Sequence, residues 1–366
     1  MNKKYILFTG LFLIIVSGIL YYTYFLKKES TQRNTSNQNP KSLTQRIFET
    51  KSEFVNPLTG EKIFADTKPD FLNHKPLGVM INNATPARPQ AGISKADVIY
   101  EIVAEGGITR FLAFFYSELP EKVGPIRSVR EYYLVIVKEL GDSMLMHIGY
   151  SPQALEKIKE WKVLSLGLAG AEFYRDKRGN ANVATEHTAF ANSNDLFNYG
   201  KKINYDQPLN LKSWKFNENF TANNLSKAGN IQIDFWYEGD YTAIFKYDST
   251  SKEYIRYSGV ENRIPQKLID DLTKTEVRVK NVIVQFANEV PILNDEKNRL
   301  DYEMIGTGKA LIFRDGYVIE STWRKDSLND RTLFFNFAGQ ELEFNRGKIW
   351  VSVVPSRNLN QVKYTE

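Results

Sequence analysis

Val98-Ile99-Tyr100-Glu101-Ile102-Val103-Ala104-Glu105-Gly106-Gly107-Ile108-Thr109-Arg110-Phe111-Leu112-Ala113-Phe114-Phe115-Tyr116 is the stretch on which the fold turns. Two runs rich in β-branched and aromatic residues flank a Gly-Gly pair, and glycine readily takes the positive φ angles that a two-residue hairpin turn demands. The stretch therefore predicts a hairpin. With Gly106 and Gly107 as the turn, Glu105 pairs with Ile108 and Val103 with Arg110. The period of two then places Glu101, Val103, Glu105 and Arg110 on one face, with Arg110 diagonal to both glutamates. Such a cluster is either a surface ion network of small energetic weight or the floor of a polar pocket.

Around the hairpin, further strand-like runs at Leu77–Ile81 and Met144–Ile148 interleave with helical patterns at Ile126–Leu140 and Pro152–Trp161. That alternation predicts a mixed α/β domain over residues 56–205. The second helix has Ser151 as N-cap and Pro152 at its first position. The first opens on Gly124-Pro125-Ile126-Arg127-Ser128-Val129-Arg130. Cations at a helix N-terminus oppose the macrodipole, so Arg127 and Arg130 call for anionic partners: Glu101, Glu105 or an anionic ligand. The chain has three histidines, His74, His147 and His187, all in this domain. His147 ends an apolar run before Gly149-Tyr150-Ser151-Pro152, where it is either at the ligand-binding end of a sheet or a core histidine bonded to a backbone carbonyl. Arg175 and His187 fall in loop-like sequence. The candidate set is Glu101, Glu105 and His147 for acid–base chemistry, and Arg110, Arg127, Arg130, Ser151, Arg175 and His187 for ligand binding.

A connecting segment, residues 206–229, leads to residues 230–366, where β-branched and aromatic runs are punctuated by Asp315-Gly316, Gly339-Gln340 and Arg346-Gly347. These predict a mainly antiparallel β domain, which has no histidine and is expected to support or bind. The whole reads as an α+β or α/β chain of two folded domains.

Before them, Tyr5 to Leu26 runs without a charge and ends in Tyr21, Tyr22, Tyr24 and Phe25, followed by Lys27 and Lys28. Length, interfacial aromatics and flanking lysines predict a transmembrane signal anchor over residues 1–28; the alternative is a signal peptide cleaved near Val16-Ser17-Gly18. Residues 29–55 are polar and read as a disordered tether. With 48 basic against 43 acidic residues the chain lacks a polycationic footprint, so no nucleic-acid partner is expected. The absence of cysteine excludes disulfides, thiolate metal sites and a cysteine-linked lipid anchor. No Gly-x-Ser-x-Gly, His-Glu-x-x-His or Walker loop occurs and no metal-ligand spacing stands out, so neither cofactor nor metal is expected.

Several motifs together resemble one family. They are Pro57-Leu58-Thr59-Gly60, Gly78-Val79-Met80-Ile81-Asn82-Asn83, Ala87-Arg88-Pro89-Gln90-Ala91-Gly92, Ala96-Asp97-Val98-Ile99-Tyr100-Glu101, Ala104-Glu105-Gly106-Gly107-Ile108-Thr109-Arg110-Phe111, Gly124-Pro125-Ile126-Arg127-Ser128-Val129-Arg130, Ser151-Pro152-Gln153-Ala154 and Phe173-Tyr174-Arg175. The chain resembles the DUF3048 family of YerB-like bacterial lipoproteins from about Asn56 to the C-terminus, including a separate C-terminal domain marked by Asn281-Val282-Ile283-Val284 and Gly306-Thr307-Gly308-Lys309-Ala310. The resemblance implies an extracytoplasmic, membrane-attached protein of Gram-positive type and supplies no activity. This chain departs from it in having no lipid-bearing cysteine, and in carrying Glu186-His187-Thr188-Ala189-Phe190 where a Pro-His-Asn-Leu-Tyr-like element is usual. Two functions follow as expectations. One is a cell-envelope binding or scaffold module that recognises anions or carboxylates on a wall polymer or an envelope protein; the other is a wall-polymer hydrolase or transferase using Glu/His acid–base chemistry.

Overall fold

The computed structural model describes residues 51–207, 209–222, 224–259 and 264–366. The expected membrane helix and most of the tether lie outside them, and among the described residues no helix is long and apolar enough to cross a membrane. The principal strands are, in chain order, β1 (Leu77–Asn82), β2 (Val98–Glu105), β3 (Ile108–Phe115), β4 (Met144–Met146), β5 (Asn230–Ile233), β6 (Ala243–Asp248), β7 (Glu253–Ser258), β8 (Asn281–Pro291), β9 (Gly306–Arg314), β10 (Tyr317–Lys325), β11 (Ile349–Pro355) and β12 (Val362–Thr365). The helices are α1 (Glu131–Glu139), α2 (Pro152–Glu160), α3 (Leu166–Ala169) and α4 (Ser193–Lys202). The fold is α+β, mostly sheet with few helices.

Among the described residues, the principal strands of an 11-stranded sheet follow the order β10-β9-β8-β11-β2-β3-β1-β4, and a six-stranded sheet contains β7-β6-β5-β12 in that order, with β12 at one edge. Most pairings are antiparallel, but β11 lies parallel to both β8 and β2. Strands from either side of the 206–229 connection therefore belong to one sheet. Alternation along β2 and β3 divides the apolar residues between two cores. Ile99, Val103, Phe111, Ala113 and Phe115 join Ile231, Phe245 and Tyr254 of the smaller sheet. Val98, Tyr100, Ile102, Leu112 and Phe114 join Tyr132, Tyr133 and Ile136 of α1.

The hairpin has the expected Gly106-Gly107 turn, both at positive φ, with Glu105 opposite Ile108. Its register differs from the expectation at one place. Val103 pairs with Thr109 and Ile102 with Arg110, because a β-bulge between Val103 and Glu105 inserts one residue. A single extra residue moves every side chain beyond it to the other face. Glu101 and Thr109 consequently point into the core beneath the smaller sheet, while Glu105 and Arg110 turn toward the start of α1. Glu101, Glu105 and Arg110 do not share a face.

The first helix also starts later than the sequence suggests. Residues 125–129 are extended because their backbone groups are taken laterally: Asn82 N donates to Pro125 O, Arg127 N to Met80 O, Ile126 N to Ala189 O and Val129 N to Gly149 O. Arg127 is thus no helix-start residue, and Arg130 is the N-cap of α1 in extended conformation, its side chain making no cap bond.

Three buried carboxylates bridge the two halves of the sequence. Glu101 on β2 accepts from Arg256 Nη2 of β7 at 2.9 Å, from Thr109 Oγ1 at 2.8 Å and from Trp350 Nε1 at 3.2 Å. Arg256 lies over the rings of Phe245 and Trp350. Glu139, at the end of α1, accepts from Arg331 Nη1 at 2.9 Å and Thr332 Oγ1 at 2.6 Å, with Lys325 Nζ at 3.2 Å. Burial pushes the Glu139 carboxyl up, but Lys325 and Arg331 outweigh it and hold it below the ordinary range. Asp270 accepts from the backbone N–H groups of Gly92 and Ser94 at 2.9 and 2.7 Å. Removing one partner of a buried pair strands the other charge, so Glu101→Ala is expected to lower unfolding free energy by about 3–5 kcal/mol. Urea denaturation beside the half-buried Glu105→Ala checks this; equal losses would contradict it.

Candidate functional site

At the hairpin tip, the Glu105 carboxylate accepts from Arg110 Nη2 at 2.6 Å and from Arg130 Nε. Arg110 also donates to Ser128 O at 2.8 Å. Burial pushes Glu105 up, yet Arg110 and Arg130 together keep its carboxyl below the usual value. Burial and the neighbouring Arg130 bring Arg110 down to about 10, against the pull of Glu105. The anionic partner that Arg130 required is therefore within the chain. Here the two arginines hold one carboxylate between them, and the donors they aim at it are already taken.

His147 follows β4 and is 2% exposed. Its Nδ1 faces Gly149 O at 2.8 Å, and a carbonyl only accepts, so Nδ1 carries the proton. Nε2 then accepts from the Ser165 hydroxyl at 2.7 Å, while Ser165 Oγ caps α3 by accepting from Leu168 N at 3.1 Å. Both ring nitrogens are satisfied inside the protein. Ser151 is likewise enclosed, its Oγ accepting from Ala154 N at 3.1 Å as the N-cap of α2. Glu101, Glu105 and His147 share no hydrogen-bond partner, and nothing in their contacts forms a common acid–base position.

A different group does come together. The extended segment ending at Arg127 runs antiparallel to residues 189–191, with Val123 opposite Ala191, which brings Arg127 toward His187 and Glu186. Asn82 Oδ1 accepts from Ala84 N at 2.9 Å, which fixes its amide so that Nδ2 donates to His187 Nδ1 at 2.8 Å. A neutral His187 then carries its proton on Nε2. Burial lowers the His187 pKa, Glu186 opposes this, and Arg127 and Arg178 lower it further. Arg127 meets Glu186 only at 3.7 Å, outside hydrogen-bond distance. Arg175 donates to Thr185 O, and Arg178 to Pro89 O at 2.6 Å. Phe173 and Tyr174 are exposed beside them, Arg175 lying over the Phe173 ring. Of the sequence candidates, this face unites Arg127, Arg175 and His187 and leaves the other six elsewhere. Asn82 and Arg178 were not singled out; Asn82 stands in the Gly78–Asn83 motif, but only the fold shows its amide meeting a histidine. Among the described residues, no cluster of His, Asp and Glu could hold a metal ion.

Residues 58–206 match the family described as "Protein of unknown function (DUF3048) N-terminal domain", and residues 231–351 match its C-terminal domain. YerB of Bacillus subtilis (strain 168), described as a candidate lipoprotein, is 32% identical over 317 residues, which span 84% of this chain and 88% of that protein. The chain belongs to the DUF3048 family. The crystal structure of the YerB protein from Bacillus subtilis is similar throughout, with a TM-score of 0.71 at 29% identity, covering 86% of this chain and all of that one.

In this DUF3048 protein the buried imidazole of His147 makes stability depend on pH. Burial holds its pKa down to about 4, with the Gly149 carbonyl opposing. An unfolded histidine titrates near ~6.5, so below that pH the unfolded chain takes up a proton that the folded chain refuses. The contribution is complete above ~6.5 and is lost as pH falls toward 4, in all about 3 kcal/mol. Denaturation of the wild type and His147→Gln at pH 7, 5.5 and 4.5 should show the wild type losing more stability on acidification; parallel losses would contradict the assignment.

Proposed function

We propose that the chain is a membrane-attached protein of the bacterial cell envelope, held outside the cytoplasm, and that it works as a binding or scaffold module with an anion- or carboxylate-recognising face. Supporting the location are its kinship with YerB, described as a candidate lipoprotein, and the uncharged run from Tyr5 to Leu26. In a chain without cysteine, that run supplies the anchor and residues 29–55 the tether. Under this reading residues 56–205 and 230–366 are two family domains interlocked through one sheet.

The observation that carries the binding reading is the grouping of Arg127, Arg178 and the His187 ring on one accessible face. Arg127 retains N–H donors there, and Asn82 orients the imidazole. Guanidinium groups with spare donors match carboxylates and phosphates, and the exposed rings of Phe173 and Tyr174 offer adjoining apolar contact. An acid–base hydrolase or transferase is less well supported, because Glu101 and His147 are sealed and Glu105 is bound by two arginines.

Full-length protein should bind poly(glycerol phosphate) or a peptide ending in D-alanine carboxylate, more weakly as salt rises. The double variant Arg127→Ala, His187→Ala should bind at least about tenfold more weakly at unchanged melting temperature. Equal binding by both proteins, measured by calorimetry, would sink the reading. Protease added to intact cells should degrade the bulk of the chain, and an untouched chain would sink the location.

A further inference from the structure

The face built from Arg127, Arg178 and His187 also holds a carboxylate. The Glu186 side chain is 49% exposed and stands 3.7 Å from Arg127 Nη2, on a side chain that is itself 29% exposed. Among the described residues the Glu186 carboxylate accepts no hydrogen bond and the Arg127 guanidinium donates none. Opposite charges that stand this close and leave each other's hydrogen-bonding groups unused can each take a group from a ligand.

The state of His187 decides how positive the face is. Two anchors fix the Asn82 amide that meets it. Oδ1 accepts from Ala84 N at 2.9 Å, and Nδ2 donates to Glu186 O at 3.3 Å as well as to His187 Nδ1 at 2.8 Å. Turning the amide over would set oxygen against the Glu186 carbonyl and an amino group against the Ala84 N–H, so Nδ1 is held as an acceptor. A proton added there would oppose N–H to N–H. Burial disfavours the imidazolium, Glu186 on the same turn favours it, and Arg127 and Arg178 from the neighbouring segments disfavour it further. Arg175, on Thr185 O, brings charge of the same sign as theirs. The ring is therefore neutral and turns Nε2–H outward; that nitrogen has no partner among the described residues and is not buried.

These groups restrict the ligand. A plain oxyanion would use the Arg127 and His187 donors but lie beside Glu186 with nothing to offset the repulsion. A plain ammonium ion would face Arg127, Arg175 and Arg178. A molecule carrying both charges satisfies every group, and the neutral imidazole gives the oxyanion a donor without repelling the ammonium. We propose that this face selects a zwitterion, with an oxyanion accepting from Arg127 and from His187 Nε2–H and a protonated amine donating to Glu186. The zwitterion assignment rests on the oxyanion reading of the same face and narrows it; carboxylate and phosphodiester zwitterions share the required chemistry.

Titration calorimetry of the full-length protein at pH 7 with matched probes tests this. Glycerophosphoethanolamine, glycerophosphoglycerol and glycerophosphocholine are all phosphodiesters; the first adds an ammonium donor, the second only hydroxyls, the third a cation without N–H. D-Alanine and D-lactate form the corresponding carboxylate pair. The ethanolamine diester should bind about fivefold more tightly than the other two, or D-alanine about fivefold more tightly than D-lactate, and whichever set shows the difference identifies the oxyanion. Glu186→Gln should erase that preference at unchanged melting temperature, with the plain anion bound no more weakly than before. Arg127→Ala should weaken every probe. The proposal is overturned if neither zwitterion outbinds its matched anion, or if Glu186→Gln keeps the preference. It is also overturned if Glu186→Gln strengthens zwitterion and plain anion by the same factor, since Glu186 would then be only an internal counter-ion of Arg127. Plain-anion binding that depends on Arg127, with no preference for a zwitterion, sinks the zwitterion assignment alone, whereas failure of every probe to bind sinks the oxyanion reading with it.

Discussion

Charge buried between the two halves of the sequence is the constraint on which the structure rests. Glu101 and Arg256 are both fully enclosed where the smaller sheet covers the larger, and neither tolerates that environment alone. Burial pulls the Arg256 pKa down and Glu101 counteracts it. The Glu139 cluster does the same on the opposite side of the large sheet, joining α1 to β10 and the loop after it. Hydrophobic contact between two sheets is permissive about sliding, whereas a carboxylate that must find its guanidinium is not. These pairs fix the relative placement of segments that the sequence alone suggests are separate.

The bulge at Ala104 works on the same scale in the opposite sense. One inserted residue sends Glu101 beneath the smaller sheet and Glu105 toward α1, so two glutamates four positions apart serve different ends of the fold. Glu101 becomes an internal fastener, and Glu105 joins Arg110 of its own hairpin to Arg130 at the start of α1. The polar cluster that regular alternation would have assembled is divided. What remains accessible lies along the edge formed by residues 125–127 and 187–189, built by backbone hydrogen bonds rather than by a helix end.

Much of the local structure was legible because it is set by local chemistry. The Gly106-Gly107 turn, the Asp315-Gly316 turn, the Ser151-Pro152 helix start and the strands of the C-terminal half follow from φ preference, capping and side-chain shape. The misses concern what no short window contains. Arg256 lies 155 positions from Glu101, and nothing near Glu101 announces it. The helix expected from Ile126 yields to extended backbone because Met80, Asn82 and Ala189 claim its hydrogen bonds. Arg127 and His187 each stood out on separate grounds, yet their meeting depends on a pairing across some sixty residues. His147 read equally as a ligand-side residue or as a core histidine bonded to a carbonyl, and only the fold, with its bonds to Gly149 O and Ser165 Oγ, decides for the second.

The place of β11 bears on how the chain reaches this state. This late strand lies between β8 and β2, parallel to both, and so occupies the middle of the large sheet. Until Ile349–Pro355 emerge from synthesis, β2 keeps one long apolar edge open, the kind that pairs promiscuously with other chains. Folding is thus a closing event that waits for β11, with high contact order and a correspondingly slow rate. A nascent or truncated chain lacking those residues would present an unfinished surface suited to chaperones and to aggregation alike.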